Sequence, residues 1–314
     1  MKEQVMKIIQ EKERSWTPPV IKGEIPHGDM PGDKVEIGSG HIAMANASFP
    51  VLLGELQEEL SVSGKAVVAV SGGSGVGKSE IASLLTYYLN DLGIGSYTLS
   101  GDNYPHRIPE HNDAERLRIY RSAGIHGMLK AGVYSAGVAQ PLKQMQLGET
   151  DADPGNAERY PWLAVYQKAG REGLARYLGT GAEQDFDGLS AILAQFKAGE
   201  ERIWLKRMGR TETELWYDRV DFTRTSVLII EWTHGNSASL RGVDIPILLN
   251  STPEETREHR RRRGRDGKTD SAFTTAVLEI EQEKIADRAR FARIIVSKSG
   301  EILTFEQYRA QMGV

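Results

Sequence analysis

A chain of 314 residues with 39% hydrophobic content can bury a substantial core and reads as one large domain with additions. Its 39 Lys and Arg against 43 Asp and Glu give a formal net charge of −4, without the basic excess expected of a nucleic-acid binder. With no cysteine there is no disulfide or thiolate-held zinc, and no apolar run reaches the roughly 20 residues of a membrane helix; a cytoplasmic protein with no nucleic-acid or membrane partner is expected.

Residues 1–63 read as an N-terminal extension. A short charged helix (MKEQVMKIIQEKER) leads into a Pro/Gly-rich stretch, TPPVIKGEIPHGDMPGDK, then a strand or two, then a helix at FPVLLGELQEEL with apolar spacing of three and four. This extension could cover a substrate site or mediate a homodimer. Residues 64–314 form the main domain. Short β-branched runs at 66–71, 96–100, 226–231, 245–250 and 293–298 suit strands buried on both faces of a parallel sheet. Helices are expected at Ser79–Leu92, Leu189–Ala198, Pro253–Arg263 and Thr274–Arg290. The economical fold is a three-layer α/β domain with a mostly parallel five-stranded sheet. Between the second and third runs, residues 103–225 form a long insertion, mainly helical (AERLRIYRSAG, WLAVYQKAGREGLARYL, GLSAILAQFKAG), on what is expected to be the substrate side.

After the first run, Gly72-Gly73-Ser74-Gly75-Val76-Gly77-Lys78-Ser79 matches G-x-x-x-x-G-K-S/T between a strand and a helix, the context the motif requires. Glycines let successive backbone N–H groups turn toward phosphate oxygens, and the helix starting near Lys78 adds its positive end. Lys78 would reach the β- and γ-phosphates, and the Ser79 hydroxyl would ligate Mg²⁺, with Glu80 counted among the nucleotide-side residues. The cradle therefore implies a P-loop NTPase fold, with a nucleoside triphosphate and Mg²⁺. No N-K-x-D guanine reader is present, and Leu99-Ser100-Gly101 continues as Asp-Asn-Tyr, not as a transporter signature.

Asp102 follows the second run, at the carboxyl end of a parallel strand where open α/β sheets place ligands. It could accept the proton of an attacking hydroxyl, or serve only as a turn former. Glu231 ends the third run, where a carboxylate could hold Mg²⁺ or punctuate the strand; His234 and Asn236 follow in the same loop. Six arginines fall between Arg257 and Arg265, with Gly264 and Gly267 allowing a hinge. They suit a lid over residues 254–270 closing on the triphosphate, or a solvated face, with Arg261, Arg262 and Arg265 the chosen inward residues. Lys206, Arg207 and Arg210 would suit an anionic acceptor or, equally, solvent.

This order of elements resembles the uridine kinase/phosphoribulokinase family of P-loop kinases over roughly residues 65–300. The resemblance also includes DFDGLSAILAQFKAG (185–199), similar to that family's F-D…L…L…K-x-G helix. It implies an ATP-dependent kinase acting on a small-molecule hydroxyl, of nucleoside, sugar or hydroxy-acid type. Asp102 would be the base, Glu231 would take the metal-associated position, and the arginine run would form the lid. Tyr104, Arg107 and His234 would face the acceptor. Trp232 stands where the family has Gly, and IWLKRMGR stands where nucleoside kinases carry Pro-x-Tyr-Asp. The family's ribose-binding Asp would fall to Asp185 or Asp187, and Asp187 also suits a helix cap. A second resemblance covers LSGDNYPHRIPEHNDAERLRIYR, similar to a block of adenylylsulfate kinases, in which Asp102, Asn103, Arg107 and Arg121 would meet a sulfonucleotide. A different class, a P-loop ATPase or regulator acting on a protein partner, is the remaining alternative.

Overall fold

The computed structural model describes residues 2–23, 25–33, 35–252, 254–258 and 271–313. The chain divides into two compact units. The first comprises Met1–Tyr104, Asp185–Thr252 and Ile285–Val314; the second comprises Pro105–Gln184 and Pro253–Lys284.

The first unit is a sheet covered on both faces by helices. Its strands are β1 (Ala66–Gly72), β2 (Ser96–Ser100), β5 (Val227–Glu231), β6 (Ile245–Leu249), β7 (Ile294–Val296) and β8 (Ile302–Leu303), and β3 (Arg202–Met208) pairs with β4 (Leu215–Asp221) in a separate hairpin. The spatial order is β2-β5-β1-β6-β7-β8, parallel throughout except for the antiparallel β8. The five expected strands are therefore all present, and the short β8 makes the sheet six-stranded. Alternation explains why these runs read as continuously apolar. Val68, Val70, Val227 and Ile229 join one core cluster, while Val67, Leu228 and Ile230 join the other.

On the first face lie α1 (Lys2–Lys12), α2 (Ser39–Ser63) and α3 (Lys78–Asp91). Phe49, Leu52, Leu53, Leu56 and Leu60 of α2 pack with Ile81, Leu84, Leu85 and Tyr88 of α3 and with Val5 and Ile9 of α1. The helix expected at 49–60 thus extends in both directions; at its start His41 Nδ1 accepts from Gly38 N–H, and Gly64, at φ +75°, ends it. No strand occurs before β1 among the described residues, where one or two were expected; the proline- and glycine-rich chain runs irregularly. On the second face, α8 (Phe186–Lys197) buries Phe186, Leu189, Leu193 and Phe196 against Leu228 and Ile230. Its cap is Asp185, which accepts from Gly188 N–H at 2.9 Å, while Asp187, which also suited a cap, pairs with Arg241.

The β3–β4 hairpin is a departure from the helical reading of 103–225. Ile203 and Leu205 anchor it in the second cluster, but β4 is almost wholly exposed and its apolar residues do not alternate, so its pattern lacks an apolar period.

The second unit is helical: α4 (Pro109–Lys130), α5 (Ala136–Leu147), α6 (Pro154–Arg159), α7 (Pro161–Ala175) and the start of α9 (Ala272–Arg288). Small residues let α4 and α7 approach closely: a Cβ on Gly127 would lie 2.2 Å from that of Ala169. The buried Glu183 is satisfied by Arg116 at 2.6 Å and Asn112 at 3.1 Å. In the first unit, α10 (Phe305–Met312) closes the chain, with Tyr308 buried beside β7 and β8. No helix among the described residues is long and apolar enough to cross a membrane.

Candidate active site

The strand-to-helix turn forms because β1 must end and α3 must begin within a few residues, and the glycines permit the route. Gly72 has φ +153°, and a Cβ there would lie 2.8 Å from the Leu249 carbonyl oxygen and 2.9 Å from Val76 Cγ1. Gly77 caps α3 at φ +101°, where a Cβ would meet the His41 ring at 2.9 Å. Between them Gly73, Ser74 and Gly75 are half-buried, and Val76 turns inward. Lys78 opens α3 with its Nζ donating to the Gly73 carbonyl at 3.1 Å, folded over the loop it serves. Ser79 and Glu80 are buried in the first turn.

Glu231, Ser100 and Val70 are register partners across β5, β2 and β1, so their side chains share the carboxyl end of the sheet. Ser79 Oγ donates to Glu231 Oε2 at 3.1 Å, and Ser100 Oγ makes a short bond to Oε1. Burial pushes the Glu231 carboxyl well above the ordinary glutamate range, and the negative charge of Asp102 adds to the rise, against the pull of Ser100 and Lys78; Asp33 also raises it. A hydroxyl and a carboxylate converging in this way are hard oxygen donors of the kind Mg²⁺ takes, and a buried acid disfavoured as an anion would gain from such a cation. The residues present therefore fit the ion.

Asp102 lies in the turn Gly101–Asn103 immediately after β2, with an exposed side chain. The structure thus brings Lys78, Ser79, Glu231 and Asp102 into one electrostatic neighbourhood. Trp232 accounts for the departure from Glu-Gly: its buried indole packs on Gly101, where a Cβ would sit 2.1 Å from Trp232 Cγ. His234 stands edge-on to that indole at 5.2 Å, and Asn236 donates to the Arg288 carbonyl at 2.8 Å.

Tyr104 is buried in the second core cluster. Arg107 belongs to the second unit, donating to Tyr177 Oη at 3.0 Å. Arg121, needed by the adenylylsulfate reading, is held in the same unit by Asp151 and the Gln146 carbonyl. Arg261, Arg262 and Arg265 lie outside the described residues.

Sequence reasoning missed the residues around Arg207. Its guanidinium is buried and donates to Asp29 at 2.9 Å and Asp218 at 3.1 Å, as well as to Tyr97. Asp29 comes from the Pro/Gly-rich stretch, where nothing distinguishes it from an ordinary turn residue. Arg210 sits in the β3–β4 turn, its backbone N–H bound by Glu214.

No family model matches the chain. It is 39% identical over 239 residues to the bifunctional alpha-galactosidase/sucrose kinase AgaSK of Mediterraneibacter gnavus; the match covers 76% of this chain and 20% of that protein. The chain thus spans about a fifth of the length of that curated relative. Among solved structures, it is similar to D-glycerate 3-kinase from Cryptococcus neoformans, with 13% identity and a TM-score of 0.45 over 84% of this chain and 98% of that one. The YGR205w protein is similar at 9% identity and a TM-score of 0.43, over 83% and 96% of the two chains.

Proposed function

We propose that the chain is an ATP-dependent kinase, acting in the cytoplasm, that transfers the γ-phosphoryl group to a hydroxyl of an uncharged sugar. The observation that carries this reading is the juxtaposition of a complete phosphate cradle with the exposed carboxylate of Asp102. Lys78 neutralises phosphate charge, and Ser79 and Glu231 would hold Mg²⁺, which when bound offsets the charge of the phosphate oxygens. Asp102 accepts the proton of the acceptor hydroxyl as the oxygen attacks phosphorus in line. A new O–P bond forms, the bond from phosphorus to the bridging β–γ oxygen breaks, and ADP leaves with that electron pair.

Two observations favour a neutral acceptor over an anionic one. Buried Arg207 already faces two carboxylates, Asp29 and Asp218, leaving it little net charge to offer. The 39% identical relative is by name a bifunctional alpha-galactosidase/sucrose kinase. The test is a panel of sucrose, fructose, glycerate and uridine, each incubated with ATP and Mg²⁺ and ranked by kcat/KM. A neutral sugar should lead glycerate by at least about tenfold, a difference of about 1.4 kcal/mol. Glycerate leading would refute the acceptor class, and stimulation only by a protein partner would refute the kinase.

A further inference from the structure

The N-terminal stretch around Asp29 has a role that neither the cradle motif nor the acceptor residues disclose. Asp29 is almost wholly buried, with its side chain 8% exposed. Its Oδ1 accepts from the Ser100 backbone N–H at 2.7 Å and from Asn103 Nδ2 at 3.1 Å. Its Oδ2 accepts from the Tyr97 hydroxyl at 3.1 Å and from Arg207 Nη1 at 2.9 Å. One oxygen thus grips the chain on both sides of Asp102, while the other ties that grip to β2 and to the hairpin. Asn103 completes the frame by accepting from Met208 N–H at 3.0 Å.

We infer that Asp29 is a positioning residue for phosphoryl transfer, a carboxylate supplied by the N-terminal segment to fix the turn that carries Asp102. The inference rests on the reading of Asp102 as the base. Taking a carboxylate out of water is costly before its partners are counted, and a segment that needed only to adhere would do as well with an apolar side chain. Donors converging on Asp29 from four residues specify a place and not merely adhesion. Burial accordingly raises the Asp29 carboxyl above its ordinary range, with Arg207 the largest opposing influence. The same segment continues along the site. A Cβ on Gly28 would approach Glu231 Oε1 to 3.9 Å, and His41, further on, rests against Gly77 of the cradle.

The experiment compares Asp29→Ala, Asp29→Asn, Asn103→Ala and the double variant Asp29→Ala/Asn103→Ala in the full chain, by steady-state kinetics with the best acceptor and by amide hydrogen exchange. Asp29→Ala should lower kcat by roughly 10²-fold, the scale of a 1 Å misplacement of a reacting group, with the KM for ATP within about twofold of wild type. Asp29→Asn keeps an acceptor for the Ser100 N–H and should recover about tenfold of that loss. The Asn103→Ala effect on kcat should be less than additive with Asp29→Ala. Exchange at Ser100 and Asn103 should accelerate at least about tenfold in Asp29→Ala, while the amides of β1 and α3 stay protected.

Three results would overturn the positioning role: unchanged exchange at Ser100, faster exchange with kcat within twofold of wild type, or loss of protection in β1 and α3 with both KM values rising together. If wild type shows no acceptor-dependent turnover, the functional reading fails, and so does the assignment of Asp29 to phosphoryl transfer. The exchange arm then reports only whether the turn is held.

Discussion

The phosphate cradle and the turn bearing Asp102 lie on the same sheet but are held in different ways. The cradle is one uninterrupted segment, Gly72–Ser79, whose path is set by backbone conformation and the start of α3. The turn is held by its own Asn103 together with side chains from distant segments: Asp29, backed by Arg207, and Trp232 packed on Gly101. A site held by backbone tolerates change in everything but its own residues. A site held by a polar network depends on each partner, because one loss leaves the others buried and unpaired.

The sharpest break between the two regions should come from Lys78→Ala. It removes the cradle's charge and should lower kcat by about 10³-fold, measured as ADP release, without altering the exchange protection of the Asp102 turn. Asp102→Asn is the matching change on the other side. It should lower kcat by roughly 10²–10⁴-fold while leaving ATP affinity, measured by calorimetry, near that of wild type. A loss of less than about threefold would remove the base assignment.

Glu231→Gln probes where the two regions meet. The folded chain holds the Glu231 proton more tightly than the unfolded chain, because burial and Asp102 raise its pKa. Stability from this group is therefore complete below the ordinary glutamate range and is lost as pH rises through that range toward the folded value. Without nucleotide or Mg²⁺, Glu231→Gln should melt about 2–4 °C above wild type near pH 8 and show less advantage near pH 5, yet lose activity. Equal melting at both values would contradict the buried, proton-holding carboxyl.

Smaller effects separate close packing from exposed pairing. Gly101→Ala forces a methyl onto the Trp232 indole and should destabilise the chain by about 1–3 kcal/mol in urea titration. Asp187→Ala removes an exposed pair with Arg241 and should shift stability by less than about 0.5 kcal/mol, with the acceptor KM unchanged within twofold. A larger change in that KM would return Asp187 to the acceptor side.

The same contrast explains what could be read from the linear chain. The cradle, the five parallel strands and the strand-end positions of Asp102 and Glu231 are local patterns, each legible because a short window carries its own physical reason. The β3–β4 hairpin is not, since β4 (LWYDRVD) is exposed and offers no apolar alternation. Asp29 is further from reach. Its significance lies in donors at positions 97, 100, 103 and 207, and a Gly-Asp in a Pro/Gly-rich stretch has the look of any turn. Trp232 marks an intermediate case: its departure from the Glu-Gly of the kinase family that the sequence resembles is visible, but its fit to Gly101 needs the packed structure.

The most direct measurement follows one reaction mixture of the full chain, ATP, Mg²⁺ and sucrose or fructose, quantifying ADP and sugar phosphate together. ADP release should be slow without sugar, rise steeply with it, and match sugar phosphate one for one. ADP release that sugar does not stimulate, or that is balanced by inorganic phosphate and not by sugar phosphate, would contradict the proposed function.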